Sequence, residues 1–148
     1  MSSPSLSAHS PGSTPTSARE DYLECILQLI QQKGYARAVD IAANLGIAQA
    51  SVTNMTQRLD AEGLLRYEKY RGVTLTPTGE KLARGVIQRH DILARLLRHF
   101  EIDEATIHRD VEGMEHHISR QTLRVLTALT EELDRSPELV ERLKTTVK

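Results

Sequence analysis

The feature that most constrains the fold is a pair of short helical segments followed directly by a basic hairpin. Residue patterns predict a helix over about residues 38–45, a turn at Gly46, and a second helix over about residues 49–62 that ends at Gly63. Two helices joined by a glycine-containing turn are typical of a helix-turn-helix unit. Many unrelated proteins share this spacing, so the pair alone does not establish DNA binding.

The hairpin makes this interpretation more specific. Residues 64–67 and 73–75 have the character of short strands, and they flank a loop with Lys69 and Arg71 near its tip. A basic hairpin directly after a helix-turn-helix is typical of the wing of a winged helix domain. We expect Lys69 and Arg71 to contact the sugar-phosphate backbone or the minor groove of DNA. A solvated turn is the alternative.

The second helix of the pair has a face suited to a DNA groove. Its apolar residues Val52, Met55 and Leu59 are predicted to face inward. The outward residues are mostly small or polar, and such side chains make groove and phosphate contacts. The DNA-binding residues predicted on this helix are Gln49, Ser51, Thr53, Asn54, Gln57 and Arg58.

Helices are predicted for most of the remaining chain. The first begins at Ser17, within a capping-box pattern, and ends at Gly34. A long helix follows Thr76, its expected N-cap, and further helices are predicted over about residues 104–117, after Ser119 and after Ser136. The long helix carries an apolar stripe interrupted by one histidine. The stripe consists of Leu82, Val86, His90, Leu93 and Leu97.

The composition favours a mostly α protein. The 148 residues can bury one substantial core or two small coupled cores, and the lack of Trp and the single Phe favour helices packed by aliphatic side chains. We expect an N-terminal winged helix-turn-helix domain over residues 17–76, then a connector helix and a helical dimerisation domain over residues 77–148. Residues 1–16 are rich in Ser, Pro and Thr and are predicted to form a disordered tail.

The sequence also indicates where the protein works. No apolar run approaches the ~20 residues that span a bilayer, and the N-terminus lacks the regions of a signal peptide. Cys25 is the only cysteine, so it cannot form an internal disulfide and is expected to pack in an apolar stripe. We therefore expect a soluble, cytoplasmic protein without a membrane partner.

The net charge of −1 hides a segregation of charge. Residues 66–98 contain eight basic and three acidic residues, whereas residues 101–115 contain six acidic residues and one basic residue. One part of the molecule can therefore attract phosphate and another can attract cations.

The acidic region contains a pattern with metal-ligand spacing. Glu112, Glu115 and His116 lie at positions i, i+3 and i+4, so on a helix all three would project from one face. A solvated charged face is the more common explanation of this pattern taken alone. Complementary ligand types elsewhere in the chain favour a metal site.

Those complementary residues lie on two other predicted helices. Asp21 and Glu24 share a face of the first helix, away from its apolar stripe, although paired acids are also common near a helix N-terminus. His90 lies on the apolar stripe of the long helix, where a histidine is usually a core residue.

Taken together, these features resemble the DtxR/MntR family of metal-dependent repressors. The resemblance rests on the winged helix, the Tyr70-Arg71-Gly72 wing tip, the Arg89-His90 pair and residues 110–117, and it extends over about residues 19–133. It implies two divalent cations per subunit between the DNA-binding and dimerisation domains, with His117 close to but outside the direct ligands. The ligands that it implies are Asp21, Glu24, His90, Glu112, Glu115 and His116.

The resemblance is greatest to the manganese-sensing branch of the family. The iron-sensing branch has a methionine in place of Asp21 and a cysteine in place of Glu112, and ligands without sulfur suit the hard ion Mn(II). We also expect this chain to lack the SH3-like third domain of the iron branch. The resemblance further implies that Asn54 reaches a base edge and that Ser51 and Thr53 contact phosphates.

The expected function is a homodimeric, manganese-responsive repressor that binds double-stranded operator DNA, has no small-molecule substrate and is not an enzyme. Its expected targets are manganese uptake genes. An iron- or zinc-responsive repressor of the same fold is the main alternative. A dinuclear manganese hydrolase would use the same ligand types, but no nucleophile or general base accompanies them. A regulator that responds to a small organic molecule would instead need an apolar pocket at the dimer interface.

Electrostatics suggests how a metal would switch such a protein. Four carboxylates at one junction repel one another, by about 3 kcal/mol for each pair about 5 Å apart at an effective dielectric constant of about 20. We expect this repulsion to hold the metal-free protein open. Bound cations would cancel it and set the recognition helices of the dimer about 34–36 Å apart, one turn of B-DNA.

Overall fold

The described part of the chain consists of helices, one short 3₁₀ turn and a single hairpin. The computed structural model describes residues 16–148, so residues 1–15 of the predicted tail lie outside it, and Thr16 already belongs to the first helix. The helices are α1 (Thr16–Lys33), α2 (Ala38–Leu45), α3 (Gln49–Ala61), α4 (Pro77–Arg98), α5 (Glu104–Met114), α6 (Arg120–Arg135) and α7 (Pro137–Val147). The strands are β1 (Leu65–Glu68) and β2 (Gly72–Leu75). The expected mostly α fold with a winged helix-turn-helix is therefore confirmed.

The first core joins α1, α2, α3 and the hairpin. Tyr22 of α1 is almost fully buried, and its hydroxyl donates to the Val52 carbonyl over 3.0 Å and lies 2.6 Å from Thr56 Oγ1. Val52 and Leu59 are buried as predicted, and Met55 packs partly buried against this core. The helix α3 is thus anchored on α1 through both apolar and polar contacts.

The hairpin differs from its prediction by one residue at three strand ends. β1 and β2 pair antiparallel with Leu65 opposite Leu75, and β2 already begins at Gly72. Gly72 has a φ of +85°, and a Cβ at this position would lie only 2.3 Å from the Ala36 carbonyl oxygen. That oxygen accepts a hydrogen bond from the Val73 amide at 2.8 Å. A glycine at this position therefore lets the hairpin close against the segment between α1 and α2.

The prediction for the start of α1 is wrong. The helix already includes Thr16, so Ser17 lies within it and is not its N-cap. A capping-box pattern in a sequence does not show whether the helix begins there or extends past it.

The connector helix α4 begins where it was predicted. Thr76 is its N-cap and accepts a hydrogen bond from the Gly79 amide at 3.2 Å. Gly79 packs so closely on Leu64, the residue before β1, that a Cβ on Gly79 would lie 1.8 Å from the Leu64 carbonyl oxygen. The predicted apolar stripe is wrong at Leu82, which is 38% exposed, because Ala83 takes the buried position against the first core.

A second, smaller core joins α4, α5 and α6. It contains Leu93 and Ala94 of α4 with Ile107 and Val111 of α5, and Leu126 of α6 packs against them. The described residues contain no helix that is both long and apolar enough to cross a membrane.

In the described part of the chain, α6 carries two large apolar side chains that are exposed. Val125 is 67% exposed and Leu129 is 45% exposed. Apolar side chains of this kind are suited to an interface between protein chains.

Candidate metal centre

The predicted metal segment is not one continuous helix. α5 ends at Met114, and the 3₁₀ turn Glu115–His117 follows it. Such a turn rotates about 120° per residue instead of the roughly 100° of an α-helix. The predicted helix over residues 104–117 therefore ends three residues early, and the three side chains differ in burial: that of Glu112 is 44% exposed, whereas those of Glu115 and His116 are 0% and 7% exposed.

The first group of candidate ligands joins α1 to the 3₁₀ turn. His116 Nε2 lies 2.8 Å from Asp21 Oδ1 and 3.5 Å from Glu115 Oε1. One donor atom from each residue lies within 4.8 Å of those of the other two.

The second group joins α4 to the end of α5. His90 Nδ1 lies 2.9 Å from Glu115 Oε2 and 3.9 Å from Glu112 Oε1. These three donors also lie within 4.8 Å of one another. Glu115 therefore belongs to both groups and offers one oxygen to each side.

Glu115 also shows that the groups fit cations. Its side chain is fully buried, and its Oε1 atom has no hydrogen-bond partner among residues 16–148. A buried carboxylate oxygen without a donor is strongly unfavourable. A divalent cation would satisfy it, and the imidazole and oxygen donors of both groups are common ligands of such ions.

Glu24 lies beside these groups without belonging to either. Its Oε1 accepts a hydrogen bond from Gln28 Nε2 at 3.3 Å, and it lines a cavity of about 490 Å³ together with Asp21, His90 and Glu112. Burial, followed by the charges of Glu115 and Glu112, raises the pKa of Glu24 to about 7. The structure therefore brings all six predicted ligands to one junction, five of them in the two groups.

The pKa values of three other candidate ligands are raised as well. Burial raises the pKa values of Asp21 and Glu115 above their usual range. Burial alone would lower the pKa of His116, but its hydrogen bond to Glu20 and the charge of Asp21 offset burial, so this pKa is raised. The raised pKa values favour protonation of atoms that would otherwise bind cations, so protons compete with cations at this site.

Sequence reasoning missed two charged residues at this centre. Glu20 lies 2.6 Å from His116 Nδ1, and Arg89 lies 2.9 Å from the same carboxylate. Glu20 was interpreted only as part of a capping box. Two neighbours in the sequence could have indicated these residues: Glu20 directly precedes the candidate ligand Asp21, and Arg89 directly precedes the candidate ligand His90.

Three further residues define the surroundings of the cavity. Cys25 lines it but is buried, and burial, followed by the charge of Glu24, raises the pKa of its thiol to about 11. His108 also lines the cavity, and its Nδ1 lies 4.0 Å from Glu112 Oε1. His117 is exposed. Cys25 therefore remains a protonated packing residue near neutral pH, as expected from sequence.

The predicted DNA-binding residues lie on an open surface. Those on α3 are all exposed, namely Gln49, Ser51, Thr53, Asn54, Gln57 and Arg58. Lys69 and Arg71 are exposed at the hairpin tip. Two aromatic residues on the hairpin, Tyr67 and Tyr70, are 66% and 86% exposed and were not predicted as contacts.

Two family models match the chain. The N-terminal DNA-binding domain of the iron dependent repressors matches residues 15–73, and their metal binding and dimerisation domain matches residues 76–144.

Individual relatives agree with the family models. The chain is 47% identical over 130 residues to the HTH-type transcriptional regulator MntR of Lysinibacillus sphaericus (strain C3-41), covering 88% of this chain and 94% of that protein. It is 50% identical over 105 residues to the MntR regulator of Geobacillus kaustophilus (strain HTA426), covering 71% of this chain and 74% of that protein.

Solved structures share the fold. The manganese regulator SloR matches with a TM-score of 0.68 and 27% identity, covering 80% of this chain and 55% of SloR. The manganese-activated repressor ScaR in its apo form matches with a TM-score of 0.64 and 31% identity, covering 74% of this chain and 52% of ScaR. The chain thus spans about half the length of these solved proteins.

Proposed function

Because the chain belongs to the iron-dependent repressor family, we propose that it is a manganese-responsive repressor of transcription. Its proposed corepressor is Mn(II), with two ions per subunit at the two donor groups. The proposed partners are a second copy of the chain and operator DNA, with manganese uptake genes as targets. Relatives that are named MntR, or described as manganese regulators, support this proposal.

Glu115 is the observation that carries the proposal. It is a buried carboxylate with one oxygen toward each group of donors, and both groups contain only oxygen and imidazole nitrogen. Hard ligands of this kind suit Mn(II), whereas thiolate ligands would favour softer ions. The one thiol on the cavity wall belongs to Cys25, and its raised pKa keeps it protonated.

The proposed ligands lie on both sides of a domain junction. They are Asp21, Glu24, His90, Glu112, Glu115 and His116. Bound divalent cations would supply positive charge that offsets the repulsion among the four carboxylates. We place the boundary of the DNA-binding domain at residues 76 and 77, so α1 belongs to that domain and α5 to the other.

α1 provides the connection from this junction to DNA. Asp21 faces the metal centre, and the next residue, Tyr22, is hydrogen-bonded to Val52 and close to Thr56 on α3. Cations that hold Asp21 and Glu24 against the 3₁₀ turn would therefore fix the position of α3 as well. The recognition helices of a dimer then hold one separation, which reduces the conformational cost of binding DNA.

The test is operator binding at buffered free concentrations of Mn(II), Fe(II), Co(II) and Zn(II), with Mg(II) as a hard-ion control. We expect Mn(II) to stimulate specific binding at free concentrations at which Mg(II) does not. Stimulation by Fe(II) or Zn(II) alone at comparable free concentrations would instead identify an iron- or zinc-responsive repressor. Equal binding with and without every metal would exclude a metal-responsive function.

A further inference from the structure

We infer that Glu20 is a positioning residue of the metal centre, and that Arg89 holds Glu20 in place and keeps it from acting as a ligand. This inference rests on the proposed function, because it assumes that His116 binds a cation. Neither residue belongs to the predicted ligand set.

The geometry gives Glu20 two partners on one oxygen. Its Oε2 lies 2.6 Å from His116 Nδ1 and 2.9 Å from Arg89 Nη2. The side chains of Glu20, Arg89 and His116 are only 15%, 20% and 7% exposed. Three elements therefore meet at one largely buried carboxylate: α1, α4 and the 3₁₀ turn.

The bond to Glu20 selects which histidine nitrogen faces the candidate ligands. A carboxylate beside Nδ1 favours a proton on that nitrogen, because the carboxylate can only accept a hydrogen bond. Nε2 lies 2.8 Å from Asp21 Oδ1 and 3.5 Å from Glu115 Oε1, so without a cation both ring nitrogens face carboxylates. A cation bound between Asp21 and Glu115 would take the place of the Nε2 proton, and Glu20 would hold the remaining proton on Nδ1. Carboxylates that hold the second nitrogen of a metal-binding histidine orient the ring and raise its basicity.

The charge of Arg89 determines whether Glu20 orients His116 or binds a cation itself. A carboxylate so close to the centre could itself bind a cation, but a guanidinium 2.9 Å from its Oε2 repels one. Arg89 also compensates a charge that would otherwise add to those of Asp21, Glu24, Glu112 and Glu115. Since Arg89 precedes His90 on α4, one helical turn holds both the counter-charge and a candidate ligand.

The experiment compares Glu20→Gln with Glu62→Gln. Glu62 also forms an ion pair with α1, through Arg19 at 3.3 Å, so its replacement is a matched loss of one charge. We expect Glu20→Gln to weaken Mn(II) binding by about 10- to 100-fold without changing the number of ions bound. Two-bond ¹H–¹⁵N spectra of the metal-free protein should show that the fraction of neutral His116 with its proton on Nδ1 falls. Glu62→Gln should change neither measurement.

Arg89→Gln supplies the second comparison, with Arg84→Gln as its control, because within residues 16–148 the ion-pair partner of Arg84 is Glu80, on the exposed side of α4. We expect Arg89→Gln to weaken Mn(II) binding and Arg84→Gln to leave it unchanged. Loss of one bound ion in Glu20→Gln would show that Glu20 is a ligand and would overturn the inference. Wild-type affinity and an unchanged His116 tautomer in Glu20→Gln would do the same. If the wild-type protein itself bound no Mn(II), the proposed function would fail with it.

Discussion

Glu112 and Glu115 are three residues apart, yet they have different surroundings. Glu115 is fully buried and shared by both donor groups, whereas Glu112 is partly exposed and belongs to one group. His116, whose side chain is 7% exposed, belongs to the other group together with Asp21. Substituting Glu112 or His116 therefore removes a donor from one group and leaves the other group complete.

We predict that Glu112→Ala and His116→Ala each abolish metal-stimulated operator binding and leave a folded dimer. Each variant removes one donor from a different group, so each should also bind fewer Mn(II) ions than the wild type. Calorimetric titration with Mn(II), fluorescence anisotropy with operator DNA and size-exclusion chromatography would measure these properties. His117→Ala is the matched control, because His117 is an exposed neighbour of His116. Normal stimulation in both variants would show that the ligand assignment is wrong.

At the scale of the elements, α1 contributes both to the candidate metal centre and to the core of the DNA-binding unit. One face carries Asp21 and Glu24 toward the candidate metal centre, and another carries Tyr22 and Leu23 into the core of the DNA-binding unit. The raised pKa of Glu24, caused by burial and then by the charges of Glu115 and Glu112, shows that its ionised form is disfavoured in the metal-free protein. Any repulsion across this junction would act directly on the helix that supports α3.

We predict that Glu24→Gln increases specific operator binding by the metal-free protein. The substitution keeps the shape of the side chain and removes one charge from the junction, so the gain should be largest at low salt. It should also be larger at about pH 8 than at about pH 6, because Glu24 with a pKa of about 7 is mostly ionised only at the higher pH. The maximal response to Mn(II) should fall, since one candidate ligand is lost.

The measurement is metal-free operator binding at two ionic strengths, relative to a nonspecific duplex. Glu131→Gln on α6 is the control for general loss of negative charge, because Glu131 is exposed and far along the chain from the junction. If metal-free specific binding by Glu24→Gln stayed unchanged or weakened at low salt, repulsion among the carboxylates would not be what holds the protein open.

At the scale of the whole molecule, two small cores are joined through α4, and the candidate metal centre lies where they meet. The pKa values of Asp21, Glu24 and Glu115 are all raised above those of exposed carboxyl groups, chiefly by burial, and that of His116 is raised as well. Between about pH 5 and about pH 7 the folded metal-free protein therefore binds more protons than the unfolded chain. Its stability must fall as pH rises through this window.

We predict that the urea midpoint of the metal-free protein decreases from about pH 5 to about pH 7. Carboxyl groups with lowered pKa values, such as those of Glu101 and Asp134, lose their contribution at lower pH and do not oppose this trend. Stabilisation by added Mn(II) should increase over the same window, because protons and cations compete for the same atoms. Glu24→Gln should flatten the dependence in the metal-free protein. A midpoint that rose with pH in metal-free wild type would contradict these pKa directions.

Local patterns were sufficient to predict most of the elements. The helices α2 and α3 and the start of α4 were predicted to within about one residue. The signals were the glycines at 46 and 63, the Thr76 cap and apolar residues at helical spacing. The donor types at residues 112, 115 and 116, together with those at residues 21, 24 and 90, likewise indicate metal chemistry from sequence. These features depend on neighbours along the chain, so short-range stereochemistry determines them.

Only the tertiary structure decided how the candidate ligands are used. The helix α5 gives way to the 3₁₀ turn Glu115–His117, and no residue within this segment indicates that change of geometry. Glu20 and His116 are 96 residues apart, and their contact depends on how α1 and α4 pack. Burial and hydrogen bonding set the charge of each carboxyl group, and both come from residues that are distant along the chain. The sequence by itself therefore determined which donors are present, and packing alone decided which of them are buried, paired or free to bind a cation.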